Sequence, residues 1–259
     1  MKTGLKYLII IVSACLLAGI ASLSVWAGKQ SRKAIKCTGL QVLIKDSLEN
    51  DFVSAEDIRR YLDREYGAYM GQPIDSIDLN KIEKIIDGRS AVRKSEAYVS
   101  KDGMLNISVT QRKPAVRFQK GDSGFYADSE GCIFPLQSTY ASHVQIIDGD
   151  IPLDMKSGHK GRIENPEQRK WFESVMKIVN HIEQSRIWKD RIVQIHVTKG
   201  GELILVPREG NERFIFGQPE DIAGRFAKME KYYTSIVPNK GKGHYRTVDL
   251  KYRGQIVCR

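Results

Sequence analysis

Hydrophobic and polar positions follow three rhythms along the chain. The first is an unbroken apolar run. Residues 7–28 carry no charge, and Leu8 to Ala27 is a stretch of 20 residues. As a helix it would be about 30 Å long, the thickness of one bilayer core. Residues 1–6 form a short charged tail before it, and residues 29–36 a polar linker after it. No second run of comparable length follows, which predicts a single membrane crossing.

The second rhythm, from 37 to 113, alternates strand and helix periods. Leu40 to Ile44 reads as a strand. Ser54-Ala-Glu-Asp57 is a helix start, because the Ser54 hydroxyl can accept from the Asp57 amide and an acid suits the positive helix end. Ile58, Tyr61 and Leu62 supply its apolar face, and Gly67 and Gly71-Gln-Pro73 break it. A second helix starts near Asp78, carries Leu79, Ile82, Ile85 and Ile86 at helical spacing, and ends at Gly88. Val92–Val99 and Leu105–Val109 are strands joined through Lys101-Asp-Gly103, a hairpin signal. The order β-α-α-β-β predicts a three-stranded sheet covered on one side by two helices.

The third rhythm, from 114 to 259, is mostly strand. Val116–Phe118, Gly124–Ala127, Cys132–Phe134, Val144–Ile147, Ile192–Thr198, Leu203–Val206 and Arg213–Phe216 are separated by Gly-containing turns. Pro166 opens a helix through about Trp188, and Pro219 opens another with Ile222, Phe226, Met229, Tyr232 and Tyr233 as its stripe. The segment from Pro152 to Pro166, with Lys156-Ser-Gly-His-Lys160, reads as a mobile, solvated loop. The expectation is a mainly antiparallel β domain with two helices, and an α+β fold for the whole chain.

Composition supports folding: 41% hydrophobic and 28% charged residues exclude wholesale disorder. The net charge of +10 is unevenly spread, since residues 1–36 hold six basic residues and no acid. The folded part is only mildly basic, which argues against a nucleic-acid surface. The same charges leave membrane orientation open, with Lys2 and Lys6 before the apolar run and Lys29, Arg32, Lys33 and Lys36 after it. Three readings of the run compete: a retained signal anchor, a signal peptide cleaved near Val25-Trp-Ala27, and a lipoprotein modified at Cys15. The run exceeds the ~7–15 apolar residues of a signal peptide. A lipidated Cys15 would be followed by twelve further uncharged residues, Leu16 to Ala27. Both points favour the anchor. The remaining cysteines, Cys37, Cys132 and Cys258, form no CxxC and no zinc spacing, and their odd number implies no disulfide framework.

Candidate chemistry is sparse. Gly121-Asp-Ser-Gly124 matches the string around a trypsin-like serine nucleophile, but that arrangement needs its histidine upstream. His143, His159, His181, His196 and His244 all follow Ser123. Gly241-Lys242-Gly243 lacks the rest of a phosphate loop, and Asp148 and Asp150 lack the rest of a calcium loop. No catalytic, cofactor or metal site is expected, which leaves binding. Val248 to Tyr252 alternates apolar with charged residues and lies near the end of the chain. It either offers an edge for a partner strand or simply closes the sheet.

Several strings in this order carry a family resemblance. They are Phe52-Val-Ser-Ala-Glu-Asp-Ile58, Gly71-Gln-Pro-Ile-Asp-Ser-Ile-Asp-Leu79, Ile82-Glu83 and Val109-Thr-Gln-Arg-Lys-Pro114, then Gly124-Phe-Tyr-Ala-Asp-Ser-Glu-Gly131, Pro135-Leu136 and Val248-Asp-Leu-Lys-Tyr252. The β-α-α-β-β module resembles a POTRA domain. The whole layout resembles the bacterial cell-division family FtsQ/DivIB, in its Bacteroidetes form. The resemblance implies a non-enzymatic, single-pass inner-membrane protein with a cytoplasmic N-terminus and its bulk in the periplasm, enriched at the division septum. It implies a divisome scaffold that binds FtsB- and FtsL-like proteins, meets other division proteins through the POTRA domain, and helps control septal peptidoglycan synthesis. The partner contact would be strand addition over Val248, Asp249, Leu250, Lys251, Tyr252, Arg253 and Gly254. The family's Arg-Tyr pair falls on Lys251 and Tyr252, and lysine lacks the guanidinium fork. POTRA modules also occur in envelope transport and outer-membrane assembly factors, which is the alternative reading. A hydrolase using Ser123 is a third.

Overall fold

The computed structural model describes residues 15–24, 35–48, 51–121, 123–137, 140–154 and 161–259. Residues 15–24 are helical (α1). The remainder of the apolar run, including Leu8 and Ala27, lies outside the described residues, as do the tail and most of the linker. Among the described residues no helix is long and apolar enough to cross a membrane. The folded part forms two compact units, one ending at Gln111 and one holding Arg112–Arg259 together with residues 50–52.

The first unit contains β1 (Gly39–Ile44), α2 (Ala55–Glu65), a 3₁₀ turn (Ile74–Ser76), α3 (Leu79–Asp87), β2 (Val92–Val99) and β3 (Met104–Gln111). Its three strands are ordered β1-β3-β2, with β3 parallel to β1 and antiparallel to β2. Burial alternates along β3, so Leu105, Ile107 and Val109 face inward. Ile58 and Leu62 of α2 and Ile82 and Ile86 of α3 are fully buried. Burial of each such side chain contributes about 1.5–3 kcal/mol. Helix α2 begins with a capping box: Ser54 Oγ accepts from the Asp57 amide, and the Asp57 carboxylate accepts from the Ser54 amide. The hydrogen bond from Ser54 holds the Asp57 carboxyl below its ordinary value. Helix α3 is capped by Asp78, which accepts from the Lys81 amide at 2.9 Å.

One buried polar residue is accounted for by its bonds. Gln111 ends β3, its side chain accepts from the Val53 amide at 2.8 Å, and its own amide donates to the Asp46 carboxylate. It thereby joins the exits of β1 and β3 to the entry of α2. Gly103 is required in the β2–β3 turn: its φ is +86° and a Cβ there would strike the Lys36 carbonyl.

The second unit runs β4 (Pro114–Lys120), β5 (Ser123–Asp128), β6 (Cys132–Pro135), β7 (Gln145–Gly149), β8 (Gly161–Arg162), α4 (Pro166–Gln184), β9 (Ile192–Val197), β10 (Leu203–Pro207) and β11 (Arg213–Gly217). It closes with α5 (Ile222–Lys231), a π-helical turn (Tyr232–Ile236), α6 (Val237–Lys240), β12 (Thr247–Asp249) and β13 (Val257–Cys258). The strands form one sheet in the order β13-β12-β11-β10-β9-β7-β4-β5-β6-β8. Most neighbouring strands are antiparallel, as expected, but the sheet is mixed, with β4–β7, β7–β9 and β11–β12 parallel. The physical reason is connectivity. A parallel pair needs a long crossover, and α4 and the α5–α6 run supply two of them.

Helices α4 and α5 bury their stripes in one core with the sheet. Phe172, Val175, Ile178, Val179 and Ile182 come from α4, and Phe226 and Met229 from α5. The π turn has a local cause. Pro238 has no amide proton, and its ring would clash with the carbonyl four residues back in a regular helix. The turn widens instead, and the Val237 amide reaches the Tyr232 carbonyl.

The described flanks of the Pro152–Pro166 segment depart from the solvated loop expected there. Residues 155–160 lie outside the described residues. On either side, Leu153 and Ile163 are buried in the core, Gly161–Arg162 pairs with β6, and Asn165 caps α4 by accepting from the amides of Glu167 and Gln168. Two boundaries also moved. Helix α4 stops at Gln184, short of Trp188, and α5 starts at Ile222 after Asp221, whose φ is +46°.

Candidate functional site

The predicted partner-binding residues split between core and surface. Val248 and Leu250 are fully buried, so they hold the segment in the core. Strand β12 is shorter than the alternation suggests, ending at Asp249, and the Leu250 amide still reaches the Ile215 carbonyl of β11 at 3.0 Å. Lys251, Tyr252, Arg253 and Gly254 lie in an exposed bend, with Gly254 at φ +73°. The chain then returns as β13, antiparallel to β12, pairing Val248 with Cys258 and Asp249 with Val257.

The sheet edge on this side is therefore β13 and not the Val248–Tyr252 segment. Thr247 and Arg259 exchange both main-chain hydrogen bonds, each at 2.9 Å. By the alternation of an antiparallel ladder, the neighbouring Val248–Cys258 pair is not hydrogen-bonded, and the N–H and C=O of Cys258 point away from β12. The Cys258 side chain packs partly against the core, and burial pushes its thiol above the ordinary value, keeping it protonated.

Two lysines fix the bend. Lys228 of α5 donates to the carbonyls of Leu250 at 2.7 Å and Tyr252 at 2.6 Å. Lys251 donates to Glu202 at 2.8 Å, and this hydrogen bond raises its pKa. Its amide donates to Asp249 Oδ1 at 3.0 Å, closing a local turn. With these groups tied down, Tyr252 is left with 46% of its surface exposed. The bend thus presents an aromatic ring and Arg253 beside an open edge of main chain. Lys228 and Glu202 were not foreseen from the sequence, whereas Gln255-Ile-Val257 reads there as a strand that closes the chain and overlaps β13 at Val257. Lys228 belongs to an ordinary amphipathic helix, and only tertiary packing brings it to the bend.

The other candidates fall into structural roles. Ser123 is an exposed residue at the start of β5, opposite Lys120 in the hairpin. Asp148 accepts from Gln194 at 2.8 Å and lies 3.0 Å from His196 Nδ1, a cross-strand network on β7 and β9. Asp128, in the Asp-Ser-Glu-Gly turn, accepts from the amides of Glu130 and Cys132 and pairs with Arg112 at 2.9 Å. Among the described residues no group of three or more His, Cys, Asp or Glu could hold a metal ion.

A family model described as "FtsQ/DivIB, C-terminal related" matches residues 113–259, more than half of the chain. The chain belongs to the FtsQ/DivIB family. A POTRA-like domain model matches residues 35–110, which cover the β-α-α-β-β unit. No curated protein matches the chain. Both families consist of non-catalytic scaffold domains. Membership in FtsQ/DivIB suggests a cell-division scaffold at the division-site membrane that works through protein–protein interaction.

Proposed function

We propose that the chain is a non-catalytic divisome scaffold that captures an extended segment of an FtsB- or FtsL-like partner along its C-terminal sheet edge. In this reading the run from Leu8 to Ala27 anchors it in the inner membrane with a cytoplasmic N-terminus. The two compact units work in the periplasm at the septum, where the complex helps control septal peptidoglycan synthesis. The POTRA-like module would meet other division proteins.

The observation that carries the reading is the exposed edge of β13 beside the Tyr252 bend. A two-residue edge strand with outward main-chain groups can be extended by a partner strand, which gains hydrogen bonds without rearranging the sheet. Tyr252 and Arg253 then supply side-chain selectivity, since aromatic and arginine residues make effective interface anchors. The POTRA-like module alone would equally suit envelope transport. The FtsQ/DivIB match over residues 113–259 favours division.

The test is Cys258→Pro in the full-length chain. The Cys258 amide faces away from β12, so proline removes no internal ladder bond but blocks the outer edge. Co-purification of the division partners is expected to fall to background while circular dichroism and thermal melting stay those of the parent chain. Undiminished co-purification from a folded Cys258→Pro chain would overturn strand addition at this edge.

A further inference from the structure

The second unit contains a cavity of about 540 Å³, within the usual size of small-ligand sites. It is lined by the entry to β9, the β10–β11 turn, the widened helical turn and the Lys242–Gly243 loop. Its charges are sorted by depth. Glu212 is a wall residue that is only 5% exposed, and one of its carboxylate oxygens accepts from the Tyr233 hydroxyl at 2.7 Å. Among the described residues no cation forms an ion pair with it. A buried carboxylate met only by a phenol is expensive unless a cationic group completes it. Burial, and then the hydrogen bond to Glu212, push the Tyr233 hydroxyl well above its ordinary pKa. Tyr233 therefore remains the donor of this pair. Arg191 does not neutralise Glu212 directly; its guanidinium lies over the Tyr233 ring, 5.3 Å from the centroid.

The exposed lining carries the opposite sign. Arg191, Arg208 and Lys242 are exposed, and none has an ion-pair partner among the described residues. Arg208 spends its Nε on the Asp190 carbonyl at 3.0 Å, leaving its terminal nitrogens for a ligand. Asp190 and Glu209 also line the cavity as exposed residues, so the outer charge is moderated. Pro207, Val237 and Tyr233 add apolar surface to the lining.

We propose that this cavity binds an ω-amino carboxylate, such as a peptide ending in a lysine-type residue. The ammonium would pair with Glu212, the methylene stem would lie along Pro207 and Val237, and the carboxylate would meet Arg191, Arg208 and Lys242. No residue of β13 lines this cavity, and the test does not depend on any division partner.

The experiment is calorimetric titration of the full-length chain in detergent micelles with 6-aminohexanoate, with hexylamine and hexanoate as the half-ligands. Saturable binding of 6-aminohexanoate is expected, weaker binding of hexylamine, and none of hexanoate. Glu212→Gln should weaken 6-aminohexanoate by about tenfold or more, the scale for losing one partner of a buried charge pair. Should Glu212→Gln fail to fold, the surface double variant Arg191→Gln/Lys242→Gln serves instead. It should reduce 6-aminohexanoate to the affinity of hexylamine and leave hexylamine unchanged. No binding of 6-aminohexanoate at millimolar concentration would overturn the proposal. So would hexanoate binding as tightly as 6-aminohexanoate, or affinity unchanged in both variants.

Discussion

Lys228→Met isolates what holds the Tyr252 bend. Methionine keeps most of the length and the apolar stem of lysine, so the packing of α5 is retained while the ammonium is lost. Two charge-assisted hydrogen bonds disappear, to the carbonyls of Leu250 and Tyr252. Hydrogen bonds to charged groups are worth about 1.5–3 kcal/mol when buried. Here the first acceptor is partly buried and the second exposed, so the pair is discounted to about 1–2 kcal/mol in total. That energy stabilises the bend and not the whole unit, because Val248 and Leu250 stay anchored in the core. Amide exchange over Lys251–Gln255 should therefore accelerate roughly 5- to 30-fold. The amides of Val248 and Leu250 should keep their protection. Hydrogen exchange read by mass spectrometry, at fixed pH and with no partner present, checks this. Unchanged exchange in the bend would refute the role given to Lys228. Equal acceleration throughout β12 would refute its confinement to the bend.

Arg112→Met should destabilise the second unit by about 3 kcal/mol, since it leaves the Asp128 carboxylate, whose side chain is only 8% exposed, with two backbone amides but without its counter-charge. The midpoint of denaturant unfolding would report this, and Arg112→Met/Asp128→Asn should recover part of the loss. In the first unit, hydrogen bonds from Lys94 and then Lys45 hold the Glu96 carboxyl down to about 2, against an ordinary 4.5. Its folded pKa is depressed, so its contribution is complete above about pH 4.5 and fades as the pH falls towards about 2. Glu96→Gln should flatten that part of the stability–pH curve, and added salt should shrink the difference because the cluster is exposed. An identical acid slope in the variant would remove Glu96 from the account.

The legible parts of this protein were those where local chemistry and the final fold agree. The Ser54 cap, the helical stripes of α2 and α3, and the Lys101-Asp-Gly103 turn each depend on neighbours within a few residues, so their spacing alone specified these elements of the first unit. The same holds for the strand positions of the second unit and for the stripes on α4 and α5. The family strings sit on these local features, and so the resemblance could be read before any packing was known. Strand pairing was a different matter. Alternation says which residues face inward but not which strand lies alongside, so the parallel β7–β9 and β11–β12 pairs emerged only from where the crossover helices pack.

The candidate site shows the same division. Its burial pattern at Val248 and Leu250 was present in the sequence, because a period of two specifies a buried face. The length of the strand was not. Beyond Asp249 the alternation continues, yet Lys228 and Glu202, remote in sequence, hold the chain after Leu250 as a bend, and β13 takes over the sheet edge. Hydrogen bonds between distant residues depend on three-dimensional proximity, which no local period encodes. The sequence by itself therefore determined the elements, their inward faces and the kinship of the chain. Tertiary structure decided which main-chain groups remain open to a partner, and it enclosed Glu212 and Tyr233 in a common cavity.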